Sequence, residues 1–165
     1  MNLSNQSASN GSNLKAANVN LPPLARQLGY AGLIPFGMCA LALWLADASY
    51  KPMLHQALVA YAAVILTFVG AFHWGLALAR HADGRDMPVA WAWSVVPALV
   101  AWAALLLPLH YASPFLSITL IVCWVVDRAL LRHEPFAGDF MRLRTHLTFA
   151  AWLCIVVGRM GSAVV

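Results

Sequence analysis

The sequence predicts an all-α fold, an integral membrane bundle of five transmembrane helices. Three observations predict it: 62% of the 165 residues are apolar, only 10% are charged, and mean hydropathy is +0.72. A soluble domain has about 45–50% apolar and about 25% charged residues, so this chain lacks the polar surface to cover a core in water. The apolar residues also gather into five runs, 28–46, 55–79, 88–107, 112–131 and 143–160, each of 18 to 25 residues. A spanning helix needs about 20. That use of the chain leaves no room for a large soluble catalytic domain.

Residues 1–24 are expected to form a disordered Asn/Ser-rich cytoplasmic tail, since the first 20 contain six Asn, four Ser and no aromatic residue. Such a composition cannot bury enough surface to offset its ordering entropy. The tail has no apolar stretch of the kind that ends in a signal-peptide cleavage site, so the first run is expected to be retained as a span. Residues 25–165 then form the five-span domain. Pro35 and Pro97 fall inside the first and third runs, where each removes a helix hydrogen bond and bends the span. The breaks fall at residues 47–52, 80–86, 108–114 and 132–144, which hold the turn and charge residues. Connections this short make successive spans antiparallel neighbours in one bundle.

Basic residues set the expected orientation. Lys15, Arg26, Arg80, Arg85, Arg128, Arg132, Arg142 and Arg144 fall on the side of the N-terminus, against Lys51 and Arg159 on the other. This split of eight to two predicts an N-terminus in the cytoplasm and a C-terminus outside. It also explains the net charge of +4 as an orientation signal, so no nucleic-acid partner is expected. Cys39, Cys123 and Cys154 lie inside apolar runs without Cys-x-x-Cys spacing or a nearby histidine pair, and read as small buried hydrophobes. No metal and no cofactor are expected.

The polar residues within the spans are unevenly placed. At about 1.5 Å per residue, His73, Ser94, Asp127 and His146 fall within about 10 Å of the cytoplasmic boundary, and Trp74 and Trp93 share that layer. The opposite half reads as Ala, Leu, Val and Ile with scattered hydroxyls at Thr67, Ser117 and Thr119, so no continuous polar path is expected. His73 shares a helical face with Leu66, Gly70 and Ala77, and Ala71-x-x-x-Gly75 lies beside it. Small residues mark close helix approach, which turns His73 toward the bundle interior. Either a structural hydrogen bond, with Ser94 for example, or a ligand or proton site fits it. Asp127 is too short to reach the headgroups and costs about 2.5–3.5 kcal/mol at a span centre. It needs a partner, and His73, His146, Arg142, Arg144 and Arg26 are candidates at its depth.

At Ile34-Pro35-Phe36, Gly70-Ala71-Phe72-His73-Trp74-Gly75, Trp93-Ser94-Val95-Val96-Pro97, Asp127-Arg128 and Leu143-Arg144-Thr145-His146-Leu147-Thr148 the chain resembles a known membrane family. This is the uncharacterised domain-of-unknown-function family 3429, whose eukaryotic relatives are called transmembrane protein 69. The resemblance covers residues 24–160 and implies a small multi-pass membrane protein without an assigned reaction. A tail poor in Arg does not fit a mitochondrial transit peptide, so a bacterial inner membrane is expected.

Three functions compete. The expected one is a non-enzymatic binder of a small apolar ligand, a lipid or a membrane protein partner, using His73, Trp74, Trp93, Ser94, Asp127 and His146. The alternative is a proton-coupled small-molecule transporter or channel, which would want ionisable groups near the midplane or broken helices in two repeated halves. An enzyme is not expected, because hydrolases need clustered catalytic groups and this chain has one glutamate, Glu134. No catalytic residue is assigned.

Overall fold

The structure, a computed structural model, describes residues 21–132, 134 and 136–163. Most of the expected tail, with Lys15, lies outside the described residues. Among these there are six α-helices: α1 Pro23–Ala31, α2 Ile34–Leu45, α3 Lys51–Ala82, α4 Pro88–Leu105, α5 Leu109–Leu131 and α6 Ala137–Ala163. A short 3-10 turn, Ala48–Tyr50, leads into α3. With α1 and α2 counted as one span, five segments are long and apolar enough to cross a membrane.

The first span is broken rather than bent. Pro35 cannot donate to the carbonyl one turn back, so it sits in the first turn of α2 and α1 closes separately, with Gly32 N donating to Leu28 O at 3.1 Å. Tyr61 of α3 secures the break by donating its hydroxyl to the Gly32 carbonyl at 2.8 Å. No α1 residue is fully buried, and the main helix contact of α1 is with α6. It is an amphipathic segment laid on the side of the bundle.

The connections are shorter than the charge pattern implies. Charged residues end an apolar run without ending a helix, so α3 runs from Lys51 to Ala82 and α6 begins at Ala137. Arg142 and Arg144, expected in a loop, therefore stand on α6, and Pro114, expected in the third connection, lies inside α5.

Helix α3 is the hub, touching α2, α4, α5 and α6 and packing most extensively on α4. Its buried residues Leu58, Ala62, Leu66, Val69, His73 and Ala77 recur every three or four positions, the period that keeps one stripe on one side of a helix. Helix α4 answers with a stripe of small residues, Ala90, Ser94, Pro97, Ala101 and Ala104. Lipid tails are as apolar as leucine, so close packing drives such contacts and small residues are favoured. A Cβ on Gly70 would lie 2.5 Å from the Ser94 carbonyl oxygen. By contrast Gly75 meets nothing within 4 Å, so the expected Ala71-x-x-x-Gly75 contact gives way to one centred on Gly70. Phe36, Leu43, Leu58, Leu66, Leu116 and Ile155 fill the centre of the bundle.

Candidate functional site

Three helices converge on one buried polar cluster near the end of the bundle that holds α1. His73 comes from α3, Asp127 from α5, and Arg144 and Thr148 from successive turns of α6. His73 and Asp127 are 0% and 1% exposed. The Arg144 Nε donates to Asp127 Oδ2 at 2.7 Å, and His73 Nε2 faces the other carboxylate oxygen, Oδ1, at 3.4 Å. The second ring nitrogen, Nδ1, lies 3.4 Å from the Val69 carbonyl, to which it donates. The guanidinium neutralises the carboxylate, which is what permits Asp127 to sit inside a span.

The cluster is incompletely satisfied. His73 Nε2, Asp127 Oδ1, Arg144 Nη2 and Thr148 Oγ1 are all buried without a hydrogen-bond partner. An unsatisfied buried polar group costs about 1–3 kcal/mol, and here four belong to one cluster. Two of the four, His73 Nε2 and Asp127 Oδ1, face each other, so the cluster surface keeps unfilled donors at Arg144 Nη2 and Thr148 Oγ1.

An apolar cleft reaches this surface. Asp127 and Arg144 line a cavity of about 370 Å³ beneath α1, between Leu28 and Gly29 on one side and Phe68, Phe72 and Leu147 on the other. A smaller cavity of about 130 Å³ continues from the same walls to Thr148. Across the α6 end of the cleft, Phe72 stacks on Phe140 with ring centroids 4.6 Å apart. Glu134 is buried and pairs with Arg80, tying the α5–α6 connection to the end of α3.

The other candidate residues divide. Ser94 is buried but donates to the Trp91 carbonyl at 2.7 Å, so it holds its own helix and not His73. Trp93 is partly buried, with its indole nitrogen unpartnered. Trp74 is 51% exposed and meets Trp91 edge-on at 4.9 Å, facing away from the cluster. His146 is exposed and lies 3.2 Å from the Tyr30 hydroxyl, where it tethers α1 to α6. The structure thus brings together His73 and Asp127, selects Arg144 from the five candidate partners of Asp127, and adds Thr148 and the α1 wall, which the sequence did not single out. The signal was present in Arg144-x-x-x-Thr148, whose spacing puts both on one helical face.

A second polar region was only partly anticipated. At the opposite end, where Lys51, Arg159 and scattered hydroxyls were expected, His55 and His110 join the two basic residues around a cavity of about 770 Å³. Among the described residues no three His, Cys, Asp or Glu side chains converge in a way that could hold a metal ion.

These features lie within a region that matches known sequences. Residues 21–160 match the family model described as a protein of unknown function, DUF3429. The chain belongs to this family. DUF3429 thus spans α1, the cleft, the polar cluster and nearly all of α6. A transmembrane protein 69 of Xenopus tropicalis is 36% identical over 145 residues, covering 87% of this chain and 56% of that protein. The transmembrane protein 69 of Mus musculus is 34% identical over 138 residues, covering 82% and 55%. The chain therefore spans about half the length of the curated relatives it matches. No solved structure matches it. Its class is settled as a multi-pass membrane protein of an uncharacterised family.

Proposed function

We propose that this membrane protein is a non-enzymatic binder of a small, mainly apolar molecule that carries one polar group. The apolar part would occupy the cleft under α1, and the polar group would meet Arg144, Asp127 and Thr148 at its base. One observation carries the reading: a partly unsatisfied buried cluster opens onto an apolar cavity of ligand size. Phe68 is 73% exposed beside the cleft, which favours entry from the lipid. The ligand is accordingly a lipid or another membrane-soluble compound.

The hydroxyls support a role without catalysis. Ser94, Ser113, Ser117, Thr119 and Thr145 each donate to a carbonyl three or four residues back on their own helix. None is held against a histidine as an activated nucleophile would be. The basic split supports an orientation with α1 at the cytoplasmic face, and the membrane proposed is a bacterial inner membrane.

Native mass spectrometry of the full chain in mild detergent tests the reading. A reproducible bound mass is expected on the unmodified protein and is expected to be lost from Ala25→Trp, which fills the cleft mouth from an exposed position. A set of bound masses identical in that variant and in the unmodified protein, or a protein that carries none, would overturn it.

A further inference from the structure

The large cavity at the other end lies between the start of α3, the start of α5 and the end of α6. Its chemistry is one-sided. Lys51, His55, His110 and Arg159 line it, and among its described lining residues there is no acidic side chain. Lys51 donates its ammonium to the Gly161 carbonyl at 3.1 Å, which fixes one positive charge beside the wall formed by α6. Below the charges the surface changes character. Ile118 on α5, with Trp152 and Val156 one turn apart on α6, forms an apolar strip leading from Arg159 toward the bundle centre.

His55 supplies the independent sign of a ligand. It is 8% exposed, lines the cavity one turn inside Lys51, and its Nε2 is buried without a hydrogen-bond partner. A buried imidazole nitrogen among cationic neighbours is satisfied by an anionic oxygen, to which it donates alongside Lys51 and Arg159. The cavity's 770 Å³ falls within the about 300–1,000 Å³ of small-molecule sites.

We propose that this cavity binds an anionic amphiphile, its carboxylate or phosphate head held by Lys51, His55, His110 and Arg159 and its chain laid over Ile118, Trp152 and Val156. The placement suits a molecule drawn from the leaflet opposite α1. Both charges stand near helix ends, at headgroup depth, while the strip descends into the hydrocarbon. The site is separate from the cleft under α1 and shares no lining residue with it.

Quenching of tryptophan fluorescence by a dibrominated stearate tests the proposal on the full chain in neutral detergent. Bound stearate would bring bromine to Trp152, so saturable quenching is expected, and Trp152→Phe should remove the saturable component. The exposed Arg159→Gln should weaken the apparent affinity about tenfold, one charge-assisted contact being worth about that much. Ala25→Trp should leave the affinity unchanged, so failure of the cleft and failure of this cavity are read separately. Unbrominated lysophosphatidate should compete and relieve the quenching. Equal quenching by the neutral methyl ester would reduce the site to an apolar surface and overturn the proposal. Displacement of the stearate by inorganic phosphate at the same concentration would also overturn it, reassigning the charges to a free anion.

Discussion

Asp127 sets the energetics of the polar cluster, because a carboxylate within a span must be compensated and its two oxygens face different helices. Arg144 compensates Oδ2 and His73 faces Oδ1. That 3.4 Å approach couples α3 to α5 through one carboxylate. Removing Arg144 leaves an uncompensated buried charge, and Arg144→Leu should destabilise the bundle by about 3–5 kcal/mol in detergent unfolding. His73→Ala and Asp127→Ala should each destabilise as well, with the double variant costing about 0.5–3 kcal/mol less than the sum. Additive losses would show that the two side chains do not interact. The need for a partner was legible in the sequence from the position of Asp127, but five candidates stood at similar depth. Selecting Arg144 required knowing where α6 begins. Asp139, Arg142 and Arg144 interrupt the hydropathy and mimic a loop, while the helix continues through them from Ala137.

At the scale of elements, the spans were legible because length and hydropathy suffice to identify them, whereas the contacts depend on which face of each helix turns inward. Two glycines five residues apart on α3 show the difference. Gly70 lies against the Ser94 carbonyl, and a Cβ there would approach to 2.5 Å of backbone that cannot move aside without parting α3 from α4. Gly75 faces open space. Gly70→Ala should therefore destabilise by about 1–3 kcal/mol, the range for overpacking, and Gly75→Ala should be neutral or slightly stabilising through helix propensity. Equal effects in a thermal unfolding assay would refute the assigned face. Gly158 repeats the lesson on α6, where an added Cβ would lie 2.6 Å from Leu58 and 3.2 Å from Leu43. Its neighbours come from helices remote in sequence, so no local pattern announced that contact. The break at Gly32 was only half legible: Pro35 marked a disturbance, while Tyr61, which secures it, lies 29 residues away.

For the molecule as a whole, two polar regions at opposite ends of one bundle raise the question of a path between them. His55 and His73 both lie on the buried face of α3 and are 18 residues apart, or about 27 Å along a helix. The buried residues between them are Leu58, Val59, Ala62, Ala63, Leu66, Val69 and Gly70, which bring no side-chain donor or acceptor. The α5 hydroxyls at this depth do not bridge the gap, because Ser113 and Ser117 donate to their own helix at Leu109 and Ser113. A charge crossing such a layer would shed its hydration without replacement, at a cost of several kcal/mol. Full-length protein in liposomes should therefore leave an imposed proton gradient intact. A dye-reported leak above that of empty liposomes, abolished by His73→Ala, would refute this and favour proton-coupled transport over ligand binding. The same layer predicts that the two ends act separately. Arg159→Gln should leave the mass bound under α1 unchanged in native mass spectrometry, and a coordinated loss would mean that α3 couples the sites by moving as a rigid rod, not by passing protons.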